Sequence, residues 1–208
     1  MSDNPHRDPG RPDTSLPQPL IVPGFIDAAT CQRIRAAMDR GAAAPAEIFD
    51  HGYVVDDFVR HAFDVDVDEA TLVEVEALLA RARQRLAAHI NGPLQYAAGA
   101  GFLRYGPGGH YLAHRDSDPD LVDLRVAADA AVRAFSAVLF LNTATAVAAG
   151  DDCSGGTLRI YPASGVTSGD ALDVAPKTGT LVLFAATRLH EVLPVTGGLR
   201  DVVVDWFS

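Results

Sequence analysis

Two textures divide the chain. Between Asp68 and about His89, Leu72, Val75, Leu78, Leu79, Ala82, Leu86 and Ile90 recur at three- and four-residue steps with Glu and Arg between them. That spacing predicts an amphipathic packing helix, with His89 capping its C-terminal end. From Leu94 onward the apolar residues come in short runs bounded by Gly, Pro, Asn and Asp, the pattern of an all-β sandwich or barrel. Strands are predicted near 94–105, 110–115, 134–141, 156–161, 171–174, 180–185, 188–194 and 200–207, and eight short antiparallel strands suit a jelly roll.

Ahead of the long helix, residues 20–26 read as a short strand and Asp27 as the N-cap of a helix ending at Gly41. Residues 42–52 read as loop and 53–59 as an ambiguous strand, while 117–133 and 143–154 read as rim loops of the kind that carry sites. Pro5, Pro9, Pro12, Pro17 and Pro19 crowd the first 19 residues, which hold too little apolar side chain to offset the entropy of ordering. The expected organisation is a tail over 1–19 and a single domain over 20–208, with helical support over 20–93 and a β core over 94–208.

Charge narrows the partners. Lys plus Arg number 17 against 27 Asp plus Glu in 208 residues, a net charge of −10 that disfavours nucleic acid. The first residues lack the basic-then-apolar pattern of a signal peptide and no apolar run reaches membrane length, so a soluble, cytoplasmic protein with no membrane partner is expected. Cys31 and Cys153 sit in no zinc or redox spacing and read as free thiols. Glu74 and Glu76 point to different sides of the long helix and read as solvated charges.

The chemistry concentrates in Tyr105-Gly-Pro-Gly-Gly-His-Tyr-Leu-Ala-His114-Arg-Asp116, answered downstream by His190 and Arg200. On a strand, His114 and Asp116 share a face, so they can chelate one ion, and His190 is the candidate third ligand, brought opposite them by a two-layer roll. Two neutral nitrogens and one carboxylate suit a first-row divalent metal with open positions; zinc and manganese fit the atoms too. A kinase catalytic loop would want Asn at Leu121, and a calcium loop would want Gly at Leu121 and Glu at Ala127. His110 shares the strand parity of His114, but the glycine-rich turn before it argues for the rim. His6, His51 and His61 have no ligand partner at diagnostic spacing.

On the last predicted strand one face reads Arg200, Val202, Val204, Trp206. A guanidinium at the edge of an apolar face needs a partner, and a ligand carboxylate, held in bidentate fashion, supplies one if no protein carboxylate does.

Tyr105, Gly108, Tyr111, His114 and Asp116, then Gly155-Gly-Thr-Leu-Arg-Ile-Tyr161, then His190 with Arg200 ten residues on, form an ordered set. It resembles the prolyl 4-hydroxylase-like branch of the Fe(II)- and 2-oxoglutarate-dependent dioxygenases over about residues 94–207, and the strand-helix beginning from residue 20 agrees with it. The resemblance implies a mainly β fold with packed helices (α+β): a double-stranded β-helix, cupin-like, with N-terminal helices covering its major sheet. It also implies that His114, Asp116 and His190 ligate Fe(II), and that 2-oxoglutarate chelates the iron and extends its distal carboxylate to Arg200. Tyr105 then lies near the cosubstrate or substrate, and Tyr111 and Arg133 face the substrate.

Some relatives place a Tyr on the strand after the first two ligands to help bind the distal carboxylate; this chain has Phe140 there, so the hydroxyl of Thr180 becomes the candidate helper. With O2 as the second cosubstrate, the implied reaction hydroxylates an aliphatic carbon and releases succinate and CO2. A prolyl residue, another amino-acid residue, a free amino acid and a peptide or polyketide intermediate all fit as the small-molecule or peptidyl substrate. Asp118, Asp120, Asp123, Asp151 and Asp152 near the expected entrance hint at a cationic substrate, though solvated loop charges explain them as well. The alternative reading is a noncatalytic cupin-like module that binds a small carboxylate or a protein partner. The sequence leaves the oligomeric state open.

Overall fold

The computed structural model describes residues 17–49, 52–94, 97–117, 133–162 and 170–208. His6, His51, Asp118, Asp120 and Asp123 lie outside the described residues, as does most of the expected tail. In chain order the first half carries β1 (Leu20–Val22), α1 (Ala28–Met38), β2 (Ala43–Pro45), β3 (Ile48–Phe49), β4 (Tyr53–Val54), β5 (Arg60–His61), β6 (Phe63–Val65) and α2 (Glu69–Ile90). Then follow β7 (Gly101–Tyr105), β8 (His110–His114), β9 (Phe135–Phe140), β10 (Ser154–Gly155) and β11 (Leu158–Ile160). The chain ends with β12 (Leu172–Val174), β13 (Leu181–Ala185), β14 (His190–Val192), β15 (Val195–Gly197) and β16 (Arg200–Phe207).

Two antiparallel sheets form the body. The major sheet runs β1-β13-β9-β16-β7-β6-β2 and the minor sheet β12-β11-β14-β8-β5. Strand parity divides the core. On β9, Ala137 and Leu139 pack with α1 and α2 residues such as Ile34, Met38, Leu79 and Leu86. Val138 and Phe140, one step out of phase, pack with Leu158, Ile160 and Val192 of the minor sheet. The helices thus cover one face of the major sheet and the minor sheet covers the other, the jelly-roll arrangement the sequence predicts.

The helices form where the apolar period says, and caps fix their ends. Asp27 accepts a hydrogen bond from the Thr30 amide at 2.7 Å, and Asp68 accepts one from the Thr71 amide at 2.9 Å. α1 stops at Met38, capped by Asp39, rather than at Gly41. α2 is capped by Asn91 in the left-handed region, φ 53°, and His89 lies in its last turn rather than at the cap.

The strands differ from expectation mainly at their starts. β7 begins at Gly101, not residue 94, because Gly99 takes φ 101° and donates its amide to the Asp205 carboxylate, which breaks the extended run. The expected loop over 42–52 contains β2 and β3. Ala43–Pro45 has no β-forming composition; its pairing with β6 at the sheet edge makes it a strand, and an edge tolerates Pro45. β16 matches its predicted span and lies between β9 and β7.

Both faces of β16 are covered. Arg200, Val202, Val204 and Trp206 line a cavity between the sheets, while Asp201, Val203, Asp205 and Phe207 turn to the other face and are fully buried. Asp201 accepts hydrogen bonds from Arg35 of α1 at 2.9 Å and from Arg104 of β7 at 2.7 Å, so its charge is paired where it is buried. Among the described residues, no helix is long and apolar enough to cross a membrane. Cys31 and Cys153 are free and buried.

Candidate metal centre

His114 and His190 face each other directly across the β8–β14 pair of the minor sheet. They meet as cross-strand neighbours of one sheet rather than across two layers. Asp116 lies two residues past the end of β8, where its amide donates to the Ala186 carbonyl at 3.0 Å and holds the chain beside β13. One donor atom from each of the three residues lies within 4.8 Å of the others. His114 Nε2 is 3.5 Å from Asp116 Oδ1 and His190 Nε2 is 3.5 Å from Asp116 Oδ2.

The same local device orients both imidazoles. His114 Nδ1 bonds the Leu112 carbonyl at 2.8 Å and His190 Nδ1 bonds the Arg188 carbonyl at 2.9 Å, each two residues upstream. A carbonyl only accepts, so each Nδ1 carries the proton and each Nε2 presents a lone pair to the shared point. Tyr111 stacks on His114 at 3.5 Å between centroids, and Phe184 meets His190 edge-on at 4.8 Å. The Ser136 hydroxyl donates to Asp116 Oδ2 at 2.5 Å, a supporting contact the sequence did not mark.

Electrostatics suit the same assignment. Burial and the neighbouring His114 push His190 down to about 4, against the pull of Asp116, so the ring is neutral at ordinary pH. Burial alone would raise the Asp116 carboxyl; His190, His114 and the Ser136 hydroxyl more than reverse this and hold it below the usual carboxylate range. Two imidazole nitrogens and a carboxylate oxygen converging on one side are the donor set for a divalent first-row metal with open positions.

A cavity of about 530 Å³ opens onto these donors. Tyr105, Tyr111, Arg133 and Arg200 line it together with His114, Asp116 and His190. Arg200 is 1% exposed; its Nε donates to the Gly156 carbonyl at 2.8 Å, and its Nη1 is buried without a partner. The guanidinium carbon sits 4.8 Å from the Tyr105 ring and 5.2 Å from the Phe140 ring. Burial lowers its pKa from the ordinary arginine value while the Tyr105 phenol opposes the shift. Among the described residues Arg200 has no ion pair, so a buried donor in the cavity wall awaits an acceptor, which a carboxylate ligand such as that of 2-oxoglutarate fits.

Gly156 makes room for this side chain. Its φ is 70°, and a Cβ there would fall 2.5 Å from Arg200 Cδ. Thr180 lies at the head of β13, 4% exposed with its hydroxyl unpartnered, but it is not part of the cavity lining. His110 is engaged elsewhere: Nδ1 meets the Gly108 carbonyl and Nε2 the Phe58 carbonyl, each at 3.0 Å. Asp151 and Asp152 do not line the cavity, and Asp151 lies 3.5 Å from Arg35.

Residues 100–208 match the family described as the 2OG-Fe(II) oxygenase superfamily. No curated protein sequence matches the chain. Among solved structures, a prolyl 4-hydroxylase from Pseudomonas putida is 25% identical, covering 91% of this chain and 91% of that one at a TM-score of 0.66. A Trichoplax adhaerens prolyl hydroxylase, solved with a peptide fragment of the hypoxia-inducible-factor oxygen degradation domain, is 20% identical over 91% and 82% of the two chains at 0.63. The viral collagen prolyl hydroxylase of Paramecium bursaria Chlorella virus-1, solved with 2-oxoglutarate, is 19% identical over 91% and 94% at 0.59. The last two likenesses speak to the fold alone. Three convergent donors able to hold a metal ion, a buried guanidinium without an ion pair among the described residues, and a family match over the β core agree: the chain is a 2-oxoglutarate- and Fe(II)-dependent dioxygenase of the 2OG-Fe(II) oxygenase superfamily.

Proposed function

We propose that His114, Asp116 and His190 hold the Fe(II), that Arg200 takes the distal carboxylate of 2-oxoglutarate with Tyr105 beside it, and that Tyr111 and Arg133 receive the substrate. The observation that carries the reading is the convergence, in one cavity, of the three donors with the unpartnered Nη1 of Arg200. With iron and 2-oxoglutarate bound, the cofactor pair supplies oxidative decarboxylation by O2 to succinate and CO2, coupled to hydroxylation of an unactivated carbon.

The rest belongs to the chain's own residues. Asp116 stays ionised and each histidine keeps its proton on Nδ1, so the donors need no rearrangement to receive a cation. Tyr105 and Phe140 flank the Arg200 guanidinium and hold its plane for two-point contact with a carboxylate. Burial pushes the Tyr111 phenol up to about 12, so it remains a hydrogen-bond donor in the cavity wall. Leu103, Val138, Leu158 and Val202 complete an apolar lining that excludes water from the reacting carbon.

For the substrate, the Pseudomonas putida neighbour is a prolyl 4-hydroxylase and the Trichoplax adhaerens neighbour was solved with a peptide, which supports a prolyl or other amino-acid residue, free or within a peptide. The test is succinate release from 2-oxoglutarate. We expect it to require Fe(II) and to fall at least about a hundredfold in His114→Ala and in Arg200→Ala. Unchanged turnover in either variant would reject the role of that residue, and no Fe(II) binding at one per chain would favour a noncatalytic module.

A further inference from the structure

Once 2-oxoglutarate is assigned to Arg200, the cavity wall still carries Arg60, Arg115 and Arg133; Arg115 donates to the Thr187 carbonyl, while Arg60 and Arg133 are left without an ion pair among the described residues. Arg133 stacks on Trp206, its guanidinium carbon 3.8 Å from the ring centroid, and its Nε is buried without a partner. Arg60 lies over the opposite partner of the stacked histidine, 5.0 Å from the Tyr111 centroid; its Nη1 donates to the Glu47 carbonyl at 2.7 Å, and its Nε is also buried without a partner. All four side chains line the cavity that holds the metal donors. Neither guanidinium forms an ion pair among the described residues, whereas Arg33, Arg35, Arg104 and Arg159 all do.

A buried donor left unpaired costs free energy, and a neutral ligand does not balance two cations in a half-buried wall. Rings behind both guanidiniums fix their planes and leave the N–H edges for a ligand. Glu47 and Asp64 also line the cavity; both reach solvent, which screens them, and although burial raises the Asp64 carboxyl and the Arg60 charge acts on it, neither acid forms an ion pair with Arg60 or Arg133. Resting on the functional reading above, we propose that the substrate is a compact carboxylate of amino-acid size, its carboxylate received by Arg60 and Arg133 on the cavity wall they share with Tyr111. The 530 Å³ of the cavity, shared with 2-oxoglutarate, suits a ligand of that size.

Binding rather than turnover tests this. The full chain is loaded with Mn(II), which blocks the oxidative chemistry, and with saturating 2-oxoglutarate, which occupies Arg200. It is then titrated by calorimetry with N-acetyl-proline, N-acetyl-leucine, N-acetyl-glutamine and N-acetyl-phenylalanine, and with the amide of each. The acid and its amide differ in charge and hardly in shape. The expected result is that at least one acid binds about tenfold or more tightly than its amide, and that this preference is lost in Arg60→Gln or Arg133→Gln.

No preference for the acid in any pair, including no binding by any probe, overturns the proposal, as does a preference that survives in both variants. The unaltered chain decides the first point even where a variant does not fold, and retained Mn(II) binding certifies each variant that does. Failure of Mn(II) and 2-oxoglutarate to bind at all would instead reject the underlying assignment of the metal centre, so the two failures are distinct.

Discussion

Ser136 shows how far a metal centre depends on residues that hold no metal. Its hydroxyl holds Asp116 Oδ2 and so fixes the carboxylate beside both imidazoles. Removing it lets the carboxylate rotate, so Ser136→Ala should weaken Fe(II) binding by about 10- to 100-fold with little loss of fold; anaerobic Fe(II) titration measures it. Gly156→Ala tests the cosubstrate end. The added Cβ would collide with Arg200 Cδ, so the variant should raise the Kd for 2-oxoglutarate by about tenfold or more and leave metal affinity alone. The proposed site residues His114, Asp116, His190 and Arg200 stand out in the sequence because their types are chemically demanding and their order and spacing are restrictive, and the structure gathers them on one cavity. Ser136 was not, because a serine on a strand is chemically generic until the fold brings Asp116, 20 residues earlier, against it.

Elements were legible in proportion to how much of their cause is local. The 3.6-residue period located α2, and strand alternation located β16, but β2 and β15 owe their existence to partners distant in sequence, and β3 is a two-residue strand held only by its hairpin partner β4. The buried face of β16 carries a second lesson. Asp201 sits on the face of the strand opposite Arg200, fully buried, and it is the bolt between α1, β7 and β16. Asp201→Ala would leave Arg35 and Arg104, each less than a fifth exposed, with only the exposed carboxylates of Asp151 and Asp39, and should cost about 3 kcal/mol, read as a shift in urea midpoint.

β8 offers a pH test. The Gly108 carbonyl, and then the Phe58 carbonyl, raise the pKa of His110 above its ordinary 6.5, because both ring nitrogens can donate only when the ring is protonated. The raised folded value means this contribution to stability is fully present below 6.5 and is lost as pH rises through the folded pKa. A proton-NMR titration of His110 should give a midpoint above 6.5, and a midpoint at or below it would show that the two carbonyls are not both engaged.

At the scale of the molecule, the site ties the two sheets together, and that makes ligand binding a measurable part of stability. The metal donors come from β8 and β14 of the minor sheet and the segment after β8, while Arg200 comes from β16 of the major sheet. Metal and 2-oxoglutarate bind the folded chain and have no preformed site in the unfolded one, so each adds stability by mass action, about 2.7 kcal/mol when its concentration is a hundred times its Kd. For a chain of 208 residues that corresponds to a rise in Tm of roughly 5 to 10 °C. Mn(II) alone should raise the Tm over a chelator-treated sample, and 2-oxoglutarate should add a second increment only when metal is present, since it needs both anchors. His114→Ala should abolish both increments, whereas Arg200→Ala should keep the first and lose the second. A His114→Ala chain that still gained the full increment from Mn(II) would place the cation elsewhere, and an Arg200→Ala chain that kept both would mean that the distal carboxylate rests on another group.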